Sequence, residues 1–298
     1  MSNLDLYETV TRQIILALES GTPPWVCPWA CDPLEMTPRN AATARPYRGV
    51  NVLLLSMRLA ASGYSRSRWL TFNQARALGA SVRTGERGTT VVFFKMHEVG
   101  NDAAEPRTES PRVVPLLRSF TVFNVDQIDG LVLEPASALP EDWNPCAAAD
   151  GLITACGAEI RHGGTRAFYL PSEDFIQLPA NSAFLTAEDY YATALHEVVH
   201  WSGHPWRCDR PLGRRHGLDA YAFEELVAEM GSAFLTNYCG LPGQVQHASY
   251  IASWLAALRN DKRLIFSAAS QAQRAADYVL SLGAVAPAVQ ATTDALAA

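Results

Sequence analysis

The five residues His196-Glu197-Val198-Val199-His200 constrain this chain more than any other stretch. They lie in TAEDYYATALHEVVHWSG, where Tyr190, Leu195, Val198, Val199 and Trp201 predict a buried helix. Thr186 is its expected N-cap, with Asp189 three residues on, and Gly203 its stop. Residues four apart share a helical face, so both imidazoles can reach one ion, and Glu197 can reach a water on it. Two histidines and a glutamate are costly in an apolar helix without a metal or strong partners, which argues against a merely solvated His-Glu-His face. The expectation is a divalent metal site with His196 and His200 as ligands and Glu197 as catalytic base. The ion lowers the water's pKa toward ~7 and polarises a carbonyl while the carboxylate takes the proton. Zinc is the default ion and manganese the alternative.

Such a site needs a third protein ligand and one open position. The segment FEELVAEMGSAF offers Glu224, Glu225 and Glu229. Glu225 and Glu229 share a face, so one can bind the ion while the other holds a histidine. Glu229 is the preferred ligand, because Gly231 and Ser232 after it would let this helix approach the first closely. Glu225 is the runner-up, and Glu224 reads as a solvated helix charge. His204, beyond the stop at Gly203, reads as a secondary or surface group. Arg207, Arg210, Arg214 and Arg215 form a basic loop suited to anchoring acids of the site, and Tyr221 and Tyr238 are candidates for oxyanion stabilisation. The preceding strand, FIQLP, is read as an edge for an extended peptide substrate.

The net charge of −6 is unevenly spread. Between Arg39 and Lys95 there are ten Lys or Arg and one acid, Glu86; from Met96 onward there are thirteen basic and twenty-four acidic residues. A chain basic early and acidic late suggests two modules with different partners. In the basic part, PPWVCPW, RPYRG, YSRSRWL and SVRTGERGT mix arginine with rings. Binding of single strands uses this pairing, with cations tracking phosphates and rings stacking on bases at ~1–3 kcal/mol per base. The candidates are Trp25, Trp29, Arg45, Tyr47, Arg48, Arg66, Arg68, Trp69, Arg83, Arg87 and Lys95. Core tryptophans beside a solvated arginine face would give the same composition.

A length of 298 residues with 48% hydrophobic content allows one large or two ordinary domains with a real core. No run approaches the roughly 18 apolar residues of a membrane span, and the acidic, amphipathic start lacks the features of a secretory signal. A cytoplasmic protein without a membrane partner is expected. The six cysteines lack paired spacing and read as free thiols. Helices are expected over 4–20, 49–62 and 72–79, the last capped by Thr71, followed by strands in TTVVFFKMHEV and RVVPLLRSFTVFNVDQI. The Pro- and Ala-rich residues 135–150 read as a linker between a first domain, 1–134, and a second, 151–290. The expected fold class is α+β, a helix-plus-sheet domain followed by a mostly helical one.

Several of these segments, in order, resemble a known family. PPWVCPW, RPYRGVN, RWLTFNQARALGASVRTGERGTTVVFFK and SFTVFNVDQIDG resemble the N-terminal domain of ArdC-type antirestriction proteins, also seen in TraC-like primases. LHEVVHWSGH followed by FEELVAEMGSAFL resembles the zincin-type metallopeptidase domain that follows it there. The resemblance implies a plasmid-encoded protein that binds single-stranded DNA and protects incoming DNA from host restriction during conjugation. It implies His196, Glu197, His200 and Glu229 as ligand, base, ligand and ligand. Host restriction-modification subunits, or another protein, would be the peptidase substrate. The competing expectation is a non-enzymatic protein that coats single-stranded DNA and whose metal is structural. A DNA-mimicking inhibitor is disfavoured by the basic first module.

Overall fold

The computed structural model describes residues 3–20, 37–99, 112–132, 144–212, 218–241 and 251–283. The first half runs α1 (Asn3–Glu19), β1 (Arg39–Asn40), α2 (Val50–Ser62), β2 (Arg68–Thr71), α3 (Phe72–Ala77), β3 (Ser81–Val82), β4 (Thr89–Val99), β5 (Arg112–Asn124) and β6 (Ile128–Asp129). The second runs α4 (Pro145–Cys156), β7 (Glu159–His162), β8 (Phe168–Leu170), β9 (Phe175–Leu178), α5 (Ala187–Ser202), α6 (Leu218–Cys239), α7 (Ile251–Asn260) and α8 (Leu264–Leu282). The fold is mixed α+β, with the sheets concentrated early and the helices late.

Local signals start and stop these elements. Thr71 and Gln74 form a reciprocal capping box on α3. Gly63 closes α2 at φ 64°, a left-handed conformation that glycine adopts without a side-chain clash. Helix α4 begins within the stretch read as a connector. Asn144 accepts hydrogen bonds from the N–H groups of Cys146 and Ala147, and Pro145 occupies the first turn, where its missing N–H costs nothing.

Strands β1, β2, β5 and β4 form one sheet in that order, with a long antiparallel β4–β5 hairpin running from Thr89 opposite Val122 to Val99 opposite Arg112. The insert at 100–111 that joins the two strands lies outside the described residues. Asn51 on α2 pins this sheet, its amide donating to the Val92 carbonyl (2.7 Å) and accepting from the Val92 N–H (2.8 Å). Although α1 comes first in the chain, its apolar stripe of Leu6, Val10, Ile14 and Leu18 belongs to the same core as Trp254, Leu258 and Ile265. Tyr7 meets Phe266 edge-on at 4.7 Å, and the Thr11 hydroxyl donates to the Lys262 carbonyl at 2.7 Å. The hydrophobic periodicity of α1 thus serves the C-terminal helices.

The strand read as an edge is not one. β9 is the middle of a three-stranded sheet, parallel to β7 and antiparallel to β8, so its backbone groups are engaged on both sides. β7 and β8 are the edges of this sheet, and β7 went unread because EIRH carries little apolar content.

Candidate metal centre

Helix α5 is buried along Ala194, Leu195, Val198 and Val199, and Thr186 caps it by accepting from the Asp189 N–H at 3.1 Å. Helix α6 runs antiparallel to it: Ser232 donates to the Ala192 carbonyl near one end, and Glu224 meets His200 near the other. The close approach depends on Gly231, where a Cβ would lie 2.9 Å and 3.0 Å from the two Val199 methyl carbons. The small residues Gly231 and Ser232 therefore act as spacers, as their sequence position suggests.

Between these helices the Nε2 atoms of His196 and His200 lie 3.2 Å apart. Two nitrogens sharing an ion at ~2.0–2.1 Å in tetrahedral coordination would stand about 3.3 Å apart. Glu225 completes the group, with Oε2 3.7 Å from His196 Nε2 and Oε1 3.6 Å from His200 Nε2. The ligand atoms of His196, His200 and Glu225 all lie within 4.8 Å of one another. Glu229, preferred as a ligand from sequence, is buried one turn further along α6 and is not in this group. The runner-up, Glu225, takes the third place.

Charge supports the fit. Among the described residues, the fully buried carboxyl side chains are Glu197, Glu224, Glu225 and Glu229, and the buried guanidinium is Arg210. Carboxylates buried this deeply need cationic or hydrogen-bonding partners, and a divalent ion held by Glu225 would be one of them. Two nitrogen donors and a carboxylate suit a divalent ion.

A second layer fixes the first. Glu224, read from sequence as a solvated charge, is buried and meets His200 Nδ1 at 3.2 Å. Arg210 grips that carboxylate from the other side, its Nη2 donating to Oε1 at 2.7 Å and its Nε to Oε2 at 3.0 Å. Arg210 also donates to the Val199 carbonyl (2.6 Å) and the Ser202 hydroxyl (3.0 Å), tying it to the end of α5. Burial alone would raise the Glu224 carboxyl, but hydrogen bonds from His200 and Arg210 outweigh it and hold it low. Burial alone would lower His200, yet the Glu224 hydrogen bond and the charges of Glu197, Glu225 and Glu224 push it up to about 9.

The remaining candidates fall in different places. Glu197 is buried on α5 beside His196. His204 is not one of the clustered donors and accepts a hydrogen bond from the Trp206 N–H at 3.3 Å. Arg207 binds the Asp174 carboxylate and lies 3.9 Å over the Trp201 ring, fastening the end of α5 to the β8–β9 turn. Arg214 and Arg215 lie outside the described residues.

In the N-terminal half, Trp69 corrects the expectation of a stacking ring. It is 0% exposed, packed with Tyr47, Leu55, Leu59, Val91 and Val122, and has no face to offer a base. Tyr47 is largely buried in the same cluster. Arg45, Arg66 and Arg87 are exposed, and Arg68 is half-buried. Arg48 pairs with Asp277, while Arg83 is occupied by Glu86, Asp129 and the Asp126 carbonyl. Trp25 and Trp29 lie outside the described residues, and for Lys95 only its place on β4 is described. No helix among the described residues is long and apolar enough to cross a membrane.

Comparison with known proteins gives this arrangement a context. Residues 4–123 match the family described as the N-terminal domain of anti-restriction factor ArdC, and residues 147–271 match the zincin-like metallopeptidase family. The chain is 44% identical to the uncharacterised protein y4eC of Sinorhizobium fredii (strain NBRC 101917 / NGR234), across 92% of this chain and 91% of that protein. It is 40% identical to the DNA primase TraC of Escherichia coli, across 92% of this chain but 27% of the primase's length. Among solved structures it is similar to the antirestriction ArdC protein from plasmid R388, metal-free (41% identity, TM-score 0.80) and Mn(II)-bound (40% identity, TM-score 0.76). Each alignment covers 94% of this chain and 98% of that one. With both halves matched in order and a His-His-Glu group between the helices of the second, the chain belongs to the ArdC antirestriction family.

Proposed function

We propose that this chain is a metal-dependent peptidase joined to a single-stranded-DNA-binding domain, and that it protects incoming plasmid DNA from host restriction. In this reading residues 1–134 bind DNA and residues 151–290 carry the peptidase, with the end of the 135–150 connector, from Pro145, already part of α4. The observation that carries it is the convergence of His196, His200 and Glu225 beside the buried carboxyl of Glu197.

When bound there, zinc or manganese would supply Lewis acidity, making water a stronger acid and a peptide carbonyl a better electrophile. Glu197 accepts the proton from water and later delivers it to the leaving amine nitrogen. Glu224, fixed by Arg210, holds His200 through Nδ1, leaving Nε2 directed at the site. Tyr221 is the better placed of the two tyrosines for stabilising an oxyanion. It lies one turn before Glu225, whereas Tyr238 lies thirteen residues beyond it, about 20 Å along the axis. The exposed Arg45, Arg66 and Arg87 support DNA binding through phosphate contacts. Similarity to the R388 antirestriction protein supports the antirestriction role, and that protein's Mn(II)-bound form supports manganese as an alternative to zinc.

The test is to incubate purified restriction-modification subunits with the protein, with either metal and with single-stranded DNA. Cleavage that needs metal and is abolished by a chelator is the expected outcome. Intact subunits under every condition would remove them from the substrate list.

A further inference from the structure

On the outer face of the four-stranded sheet, Trp69, Val91 and Val122 are covered by Tyr47, Leu55 and Leu59. One step further along the β4–β5 hairpin the cover stops. Phe93 and Phe120 there are 44% and 46% exposed, with ring centroids 5.4 Å apart and planes at 78°. Val91 pairs with Phe120 and Phe93 with Arg118 in the register, which places the exposed Arg118 beside the two rings. The rings, Val91 and Val122 form the apolar walls of a groove of about 430 Å³ with Arg118 in its lining.

The other end of the groove is polar, formed by Asn40, Tyr47, Thr71 and Gln74. The amide oxygens there are already used. Gln74 Oε1 accepts from Asn40 Nδ2 and from the Thr71 N–H and hydroxyl, while Asn40 Oδ1 accepts from the Ala42 and Thr43 N–H groups. Gln74 Nε2 is held only loosely, 3.5 Å from Asn40 Oδ1, so it remains available as a donor. The Tyr47 hydroxyl hydrogen-bonds Asn40 and lies at the same end.

We infer that this groove takes one unstacked base of a DNA single strand. The base face lies against Phe120 and Phe93, its carbonyl edge meets the Gln74 and Tyr47 donors, and Arg118 binds a flanking phosphate. The inference rests on the single-stranded-DNA reading above and gives it a site. Two exposed rings on a sheet, an adjacent cation and a donor-bearing end match the three parts of a nucleotide: π-face, base edge and phosphate. The charge agrees, since the segment from Arg39 to Lys95 that supplies most of the lining carries ten Lys or Arg against one acid. An apolar peptide would use the rings but would have no use for the cation. Among the sequence candidates whose side chains are described, Tyr47 alone lines this groove; Phe93 and Phe120 look like ordinary strand residues until the uncovered face is known.

The experiment titrates the full chain against a fluorescent dT 20-mer and against a 20-mer of the same backbone with abasic sites, reading anisotropy. Phe93→Ala/Phe120→Ala should weaken dT binding by about tenfold or more, from the loss of base stacking, and leave the abasic oligomer unaffected. Arg118→Ala should weaken both oligomers. Phe120→Leu keeps apolar bulk but loses the ring, and should weaken dT alone by a few-fold; it covers the case in which the double variant fails to fold. Thermal melting checks each variant. If the parent chain binds dT and the folded ring variants bind it equally well, the groove is not the base site, while the DNA-binding reading stands. If the parent chain binds neither oligomer, the DNA-binding reading fails and the groove assignment with it.

Discussion

Arg210 and Glu224 form a bidentate ion pair that is almost wholly removed from solvent, and Glu224 in turn meets His200 Nδ1 at 3.2 Å. The loop after α5 thus reaches back to set the imidazole of a metal ligand on α5 through a carboxylate on α6. Removing one member of such a pair leaves the other as an uncompensated buried charge, which costs about 3–5 kcal/mol. Arg210→Ala should therefore lower the melting temperature strongly. Glu224→Gln keeps the shape and an acceptor oxygen but leaves the Arg210 charge uncompensated, so it too should lower the melting temperature, and it should weaken metal affinity by roughly 10–100-fold. Thermal denaturation and metal titration of both variants check this. Unchanged metal affinity in folded Glu224→Gln would show that the contact with His200 does not tune the site.

The spacing of the two site helices gives a second prediction. Alanine is ordinarily favoured over glycine within a helix by roughly 0.5–1 kcal/mol. At Gly231 the added Cβ would crowd the buried Val199 methyls at 2.9 Å and 3.0 Å. Overpacking of this kind typically costs about 1–3 kcal/mol, so the net effect should be destabilising. Trimming the opposing side chain in Gly231→Ala/Val199→Ala should restore helix spacing, though it also gives up buried apolar area. Positive coupling between the two changes in a double-mutant cycle of chemical denaturation is the expected result. Simple additivity would mean that α5 and α6 are not held apart at this point.

The motif on α5 was legible because its chemistry sits at helical spacing within one element, and the N-caps Thr71 and Thr186 and the strands β4 and β5 were legible for the same local reason. The choice between Glu225 and Glu229 was not. Both lie on one face of α6, and which carboxylate meets the histidines depends on how far α6 slides along α5, a tertiary quantity. Gly231 and Ser232 announced that the helices come close but left their offset open. Glu224 was read as solvated because adjacent acids on a helix usually are; the arginine that makes its burial tolerable arrives from a separate loop. Trp69 illustrates the opposite difficulty. A ring that follows Arg66 and Arg68 in sequence sits in the core, because the neighbouring Arg68 and Trp69 face opposite sides of the strand.

Protonation of His200 gives a pH-dependent prediction. In the metal-free protein its imidazole is pushed from 6.5 up to about 9. A histidine raised on folding contributes stability fully below its unfolded value and loses that contribution as pH climbs through the folded one. The chelator-stripped protein should therefore lose stability from this group between pH 6.5 and about 9. A divalent ion takes the neutral imidazole and displaces its proton, so metal binding gains strength over the same interval. The difference in melting temperature between loaded and stripped protein should widen with pH. A constant difference would mean that metal binding releases no proton from this histidine.

Glu197→Ala separates the two functional readings. Glu197 is not one of the three clustered donors, so the variant should retain its metal, measured by elemental analysis after dialysis. Loss of a general base costs typically 10²–10⁴-fold, so peptide hydrolysis should fall by about that factor. Oligonucleotide binding should be unchanged, because Glu197 lies on α5 while the proposed base site lies on the β4–β5 hairpin. Protection of DNA against a restriction enzyme then decides between the readings. If proteolysis produces protection, the variant binds DNA and metal yet fails to protect. If coating the strand suffices, it protects as the parent does, and His196, His200 and Glu225 hold an ion whose part in protection is structural.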